Sequence, residues 1–253
     1  MADGADIEKV AKGTPMFSGA DLENLVNEAA LAAARKNKNA VDLNDFEEAR
    51  DRVIAGKERK SVPDYEERRQ IAYHEIGHAV VALNTPEADP LHKISIIRRD
   101  WSLGHTQNLP EKDRYLYDKK KILAEITCLL GGRAAEKVIL DIETTGAEND
   151  LKRATELAHK MVHSWGMSEK VGLIQLDSSG GEVFLGKNLL QQKNYSEAMA
   201  ATADKEIKRI LQECFEKAAR IISEKREDAE KLVKALLEKE TLKRDEIDKV
   251  LAS

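Results

Sequence analysis

The chain has 253 residues, with 41 Lys and Arg against 46 Asp and Glu, and a formal net charge of −5. That length admits one large domain or two small ones, with a core that needs no disulfide or metal staple. The acidic balance and an aromatic content of 4% speak against a dedicated nucleic-acid binder. No apolar run approaches the roughly 18–20 residues that span a bilayer, so no membrane contact by this chain is expected. The opening Met-Ala-Asp-Gly-Ala-Asp has no apolar core and is no signal peptide; it reads as the interior of something longer. Cys128 and Cys214 form no C-x-x-C pair and read as small core residues of a protein in a reducing compartment.

In chain order, residues 1–56 read as a small helical unit. Ser18 followed by Asp21 is a capping-box pattern, and Leu22, Leu25, Val26, Ala29 and Ala33 recur on one face of the helix behind it. A second helix starts at Asp42, with Phe46, Ala49 and Val53 as its apolar stripe. Residues 56–63 break the periodicity with Gly, charges and Pro, and 57–64 is assigned as a linker. An amphipathic helix is predicted from 65 to about 83, ended by Asn84-Thr85-Pro86. Residues 93–98 read as a short strand with 103–109 as its partner. Helices are predicted at about 117–139 and 149–164, a β-like, glycine-punctuated stretch at 171–185, long helices from about 194 to 239, and a short one near 244–252. The fold class is mainly α with a small β-sheet.

His74-Glu75-Ile76-Gly77-His78 fits H-E-x-x-H inside a predicted helix. Residues four apart lie about 400° round the axis and about 6 Å along it, so both imidazoles leave one face. That spacing suits two ligands of a tetrahedral Zn²⁺, with Glu75 beside them as the general base that takes a proton from the metal's water. The pattern arises by chance in about one chain in a hundred of this length, so its context matters. Gly77 would allow close packing behind the metal. The metzincin continuation is excluded, because Val81 and Asn84 stand where a Gly and a third His are required.

The third ligand is left open by spacing. His92, His105, His159 and His163 are the remaining histidines. His159 and His163 form a second i,i+4 pair with no carboxylate base between them and read as helix-face residues or as supports behind the ligands. Among the acids, Glu136 ends an apolar helix, and Glu148 and Asp150 follow Thr144-Thr145-Gly146-Ala147, a turn that can aim a short carboxylate rigidly.

Several separated segments occur in a recognisable order: Gly13-Thr14-Pro15-Met16-Phe17-Ser18-Gly19-Ala20-Asp21-Leu22, Asn27-Glu28-Ala29-Ala30-Leu31, and Tyr73-His74-Glu75-Ile76-Gly77-His78-Ala79. Leu130-Gly131-Gly132-Arg133-Ala134-Ala135-Glu136, Thr145-Gly146-Ala147-Glu148-Asn149-Asp150-Leu151, Trp165-Gly166-Met167-Ser168 and Glu182-Val183-Phe184-Leu185-Gly186 follow. Over nearly its whole length the chain resembles the C-terminal part of the FtsH-type AAA+ zinc proteases. The resemblance implies a small helical AAA+ lid over 1–56 and a helical zinc-peptidase domain over 65–253. It implies Zn²⁺ held by His74, His78 and Asp150, with Glu136 as runner-up for the third ligand. ATP and Mg²⁺ belong, by the same resemblance, to an AAA+ ATPase domain upstream of this chain. It further implies a homo-hexamer that degrades unfolded or misassembled membrane and cytoplasmic proteins, anchored N-terminally and working on the cytoplasmic side of a membrane. Met16, Ile76, Arg98 and Asp100 depart from the family pattern, and none is a ligand.

Gly181-Glu182-Val183-Phe184-Leu185-Gly186-Lys187-Asn188 nearly fits a phosphate loop, but Asn188 lacks the hydroxyl that holds Mg²⁺. Extended peptide is expected to add as a strand at the sheet edge around 94–109, with Ile96 as the position to probe. The alternative reading is a non-catalytic helical assembly or adaptor module, which needs no metal.

Overall fold

The computed structural model describes residues 7–14, 17–55, 64–98, 104–108, 116–176 and 195–252. All of the 57–64 linker but Asp64, together with Met16, Asp100 and the near-phosphate loop at 181–188, lies outside them.

Three helices open the chain: α1 (Ile7–Lys12), α2 (Gly19–Arg35) and α3 (Leu43–Ala55). The expected capping box is formed. Asp21 Oδ2 accepts from the Ser18 N–H at 2.8 Å, and the Ser18 hydroxyl accepts from the Asp21 N–H at 3.3 Å. Leu25 and Ala29 meet Phe46 and Ala49 in a small core of their own. Leu22 and Val26, expected on the buried stripe, are 42% and 54% exposed. A single partner helix covers only the strip through Leu25, Ala29, Ala32 and Ala33.

Helix α4 (Tyr65–Leu83) has the predicted bounds and is capped by Asp64, whose carboxylate accepts from the Glu67 N–H at 2.8 Å. It is a central helix rather than an amphipathic surface one. Ile71 to Gly77 and Ala79 to Ala82 are all buried, among them both aliphatic residues and the charged motif. Ile76, Val80 and Val81 pack with Ile94, Leu242, Ile222, Leu232 and Leu236 in the main core. A second core joins Ile126, Leu129, Met161, Val162 and Ile210.

The sheet has three antiparallel strands in the order β2-β1-β3: β1 (Leu91–Ser95), β2 (His105–Asn108) and β3 (Thr241–Lys243). β1 begins before the predicted 93, at the buried Leu91, and ends at Ser95, with 96–98 in no regular element. Ile96 donates its N–H to the Glu240 carbonyl at 3.0 Å. β3 was not expected. Glu240 adopts φ 60, ends the preceding helix and turns the chain onto β1. β1 is therefore the middle strand, flanked by β2 and β3.

The helix expected over 117–139 is broken in three. α5 (Lys119–Leu129) starts at an Asp118 cap, α6 (Gly131–Ala135) follows a break at Leu130, and a π-helical turn spans Glu136–Leu140. A 3₁₀ turn at Thr145–Ala147 leads into α7 (Glu148–His163). The long helical run divides into α8 (Glu197–Glu224) and α9 (Arg226–Lys239), and α10 (Arg244–Leu251) closes the described chain. Residues 171–176 are irregular and form no strand, so the β-like expectation fails there; 177–185 lie outside the described residues. Cys128 and Cys214 are buried free thiols, and burial pushes the Cys128 thiol up to about 12. No described helix is long and apolar enough to cross a membrane.

Candidate metal centre

The site is built where two helices touch through glycines. A Cβ on Gly77 would stand 2.7 Å from the Ala135 Cβ and collide with the Gly131 carbonyl. One on Gly132 would lie 2.7 Å from Nδ1 of His74. The Gly131-Gly132 pair thus lets α6 lie directly on α4, under the first histidine of the motif. Close packing at Gly77 is as the sequence suggested, and Ile76 on the other side is fully buried in the main core.

The first turn of α7 brings Asp150 to the same face. Its Oδ2 lies 3.2 Å from Nε2 of His74 and 3.1 Å from Nε2 of His78, and the two Nε2 atoms are 3.1 Å apart. His78 donates Nδ1–H to the Cys128 carbonyl at 2.8 Å, which turns the lone pair of its Nε2 inward. Nδ1 of His74 is 2.8 Å from Oε1 of Glu136. Glu136 is itself held by the N–H and hydroxyl of Thr144 at 3.0 and 2.8 Å, with Arg133 3.2 Å away. Glu136 therefore lies behind His74, on the ring edge opposite Asp150.

Electrostatics follow from this crowding. Burial opposes charge on His74, but the hydrogen bonds to Asp150 and Glu136 outweigh it and push its pKa up to about 10. Burial likewise opposes ionisation of Asp150, yet His74 and His78 hold its carboxyl far below the usual range. Glu136 is also lowered, against burial, by His74 and Thr144. Two imidazole nitrogens and a carboxylate oxygen this close need a positive charge among them: a proton without metal, a divalent cation with it. A tetrahedral ion with bonds of about 2.0–2.2 Å sets its ligands about 3.3–3.6 Å apart, close to the 3.1–3.2 Å between these donors, so the set fits zinc.

Glu75 stands beside the three donors with its carboxylate buried. Burial raises its pKa, opposed by His78, His74 and the Thr106 hydrogen bond. The Thr106 hydroxyl lies 2.8 Å from Glu75 Oε2 and 2.9 Å from the Glu75 carbonyl. A Cβ on Gly104 would come within 2.8 Å of Oε1, so the chain entering β2 runs against the carboxylate.

Among the described residues, His74, His78 and Asp150 form the group of metal-capable side chains. Glu148, two residues before Asp150 on α7, is exposed and outside the cluster. His159 and His163 stack on each other, centroids 3.9 Å apart and planes at 15°, outside the cluster. His92 and His105 face α3, 3.7 Å from Glu47 and 3.9 Å from Asp51. Sequence reasoning missed Thr106, Thr144 and the Cys128 carbonyl. The last is a main-chain atom and carries no sequence signal, whereas Thr144 lies in the Gly146 turn already noted.

The profile of the AAA+ lid domain matches residues 4–48, and that of peptidase family M41 matches residues 61–250. An ATP-dependent zinc metalloprotease FtsH of Thermotoga maritima is 49% identical over the whole chain, which covers 42% of that protein. Proteins of the same name from Rubrobacter xylanophilus and Bacillus subtilis are 49% and 48% identical over 96% of the chain, covering 37% and 38% of their lengths. The chain thus spans about two-fifths of the curated relatives it matches. With the peptidase profile covering most of its length, and the H-E-x-x-H motif within the match, the chain belongs to peptidase family M41.

Proposed function

We propose that this chain is the zinc-dependent endopeptidase part of an ATP-dependent protease, with a lid over 1–56, a linker over 57–64 and a peptidase domain over 65–253. The observation that carries the reading is the convergence of two Nε2 atoms and one Asp oxygen at 3.1–3.2 Å, with a buried carboxylate alongside. His74, His78 and Asp150 hold the metal, and Glu136 orients His74 rather than ligating. Bound zinc supplies Lewis acidity to the scissile carbonyl and to water. Glu75 takes the proton from the attacking water on its carboxylate and hands it to the leaving amine nitrogen. Thr106 fixes one carboxylate oxygen during that transfer.

An extended substrate adds as a strand at β2, whose outer edge meets no other strand among the described residues. Ile96 is not the position to probe: its N–H is already taken by Glu240, so a proline there breaks the fold as well. The likeness to proteins named FtsH supports an ATPase domain upstream that uses ATP and Mg²⁺, a homo-hexamer, unfolded polypeptide substrates, and anchoring to the cytoplasmic side of a membrane. The adaptor reading requires no metal. Chelator-reversible cleavage of an unfolded protein, regained on adding zinc, supports the peptidase; a chain that folds, assembles and holds no zinc supports the adaptor.

A further inference from the structure

Lid helix α3 lies on the sheet, on the face opposite α4. Successive residues of a strand point to opposite faces. Ile94 and its cross-strand partner Thr106 therefore face α4, where Ile94 enters the core and Thr106 meets Glu75. Lys93 and its partners Gln107 and Lys243 face the other way, towards α3.

Three charged residues of α3 reach all three strands. Glu47 Oε2 is 2.9 Å from Lys243 Nζ on β3, and Asp51 Oδ2 accepts from Lys93 Nζ on β1 at 2.6 Å. Arg50 Nη2 donates to Gln107 Oε1 on β2 at 2.7 Å. Arg50, Asp51 and Lys93 are only 5%, 8% and 5% exposed. A solvated ion pair fixes little, but buried charged groups must keep their partners, so they specify geometry. Gly13 packs against the same guanidinium, where a Cβ would strike Nη1.

We propose that Arg50 is a positioning residue for Glu75: it sets β2 through Gln107, and β2 sets the carboxylate through Thr106. The lid thereby reaches the reacting group through three side chains and not only through chain connectivity. A shift of the lid relative to the peptidase domain then changes the rate of cleavage. The inference rests on the reading of Glu75 as general base.

The test is steady-state cleavage of a short unstructured peptide by the zinc-loaded chain. Arg50→Met lowers kcat about tenfold, as a small misplacement of a reacting group does, while KM and zinc content stay near those of the unsubstituted chain. Arg50→Lys, which keeps a donor, recovers part of the loss. Thr106→Val cuts the same link closer to Glu75, so the double variant Arg50→Met/Thr106→Val is no slower than Thr106→Val alone. Additive losses in kcat overturn the proposal, because a general weakening of the fold adds to the Thr106 effect. An unchanged kcat in Arg50→Met overturns it too. If circular dichroism finds Arg50→Met unfolded, Gln107→Leu removes the same bond from a half-buried position and the same cycle decides. Glu75→Gln separates the two levels: full cleavage by that variant removes the general base, whereas an inactive Glu75→Gln beside a normal Arg50→Met removes only the coupling.

Discussion

Oε1 of Glu136 and Nδ1 of His74 are 2.8 Å apart, on the ring edge away from Asp150. This relationship separates two acids that spacing in the sequence could not. An acid behind a ligating imidazole fixes its tautomer and orientation; an acid in front of it binds the metal. Glu136→Gln is expected to weaken zinc binding about 10- to 100-fold, and Asp150→Ala to weaken it further. Competition against a chromophoric chelator measures both. The reverse order would make Glu136 the ligand.

Gly132→Ala places a methyl group 2.7 Å from Nδ1 of His74. Neither the ring nor the α6 backbone has room to yield without moving a donor. The variant is expected to fold with a near-normal circular dichroism spectrum and to bind less zinc. Metal analysis after gel filtration checks this. Full zinc occupancy would show that α6 can shift without cost to the site.

Lys93 and Asp51 form a buried pair between β1 and α3. Lys93→Met removes the 2.6 Å partner of Asp51, leaving it Arg50 at 3.8 Å and His105 at 3.9 Å, and is expected to cost about 1–3 kcal/mol. Lys93→Met/Asp51→Leu removes both charges and is expected to regain most of that loss. Urea unfolding monitored at the tryptophans measures the cycle.

Glu206 on α8 accepts from Ser168, Arg209 and Lys170 and holds the turn after Trp165. Arg209, against the effect of burial, and then Lys170 and Ser168 lower its pKa to about 2. A lowered carboxylate stabilises the fold fully above its ordinary value, and that contribution is lost as pH falls towards the folded pKa. Unfolding measured from about pH 5 down to about pH 2 should therefore show a decline that Glu206→Gln lessens. An identical pH profile in the variant would contradict the role of this cluster.

What could be read in advance was local. The H-E-x-x-H spacing, the bounds of α4 and the Ser18–Asp21 cap each depend on residues within a few positions of one another. The third donor did not come within reach of spacing, because Asp150 meets His74 only after α5 and α6 have doubled back. The Gly131-Gly132 contact with α4 decides that path, and glycine pairs look alike whether they cross a helix or end one. β3 was invisible for a related reason: Thr241–Lys243 is a strand because β1 offers a partner, not because three residues prefer it. The exposure of Leu22 and Val26 depends on how much of α2 one helix can cover. Thr106 could be placed in a strand but not against Glu75, since that pairing follows from which face of β2 meets α4.

Glu75 is proposed to move the proton at a zinc site made by His74, His78 and Asp150. Glu75→Gln, assayed for bound zinc and for cleavage of an unfolded protein in the same preparation, tests it most directly. About one zinc per chain and cleavage reduced to background are expected. Full cleavage with full zinc, or loss of zinc along with activity, would contradict it.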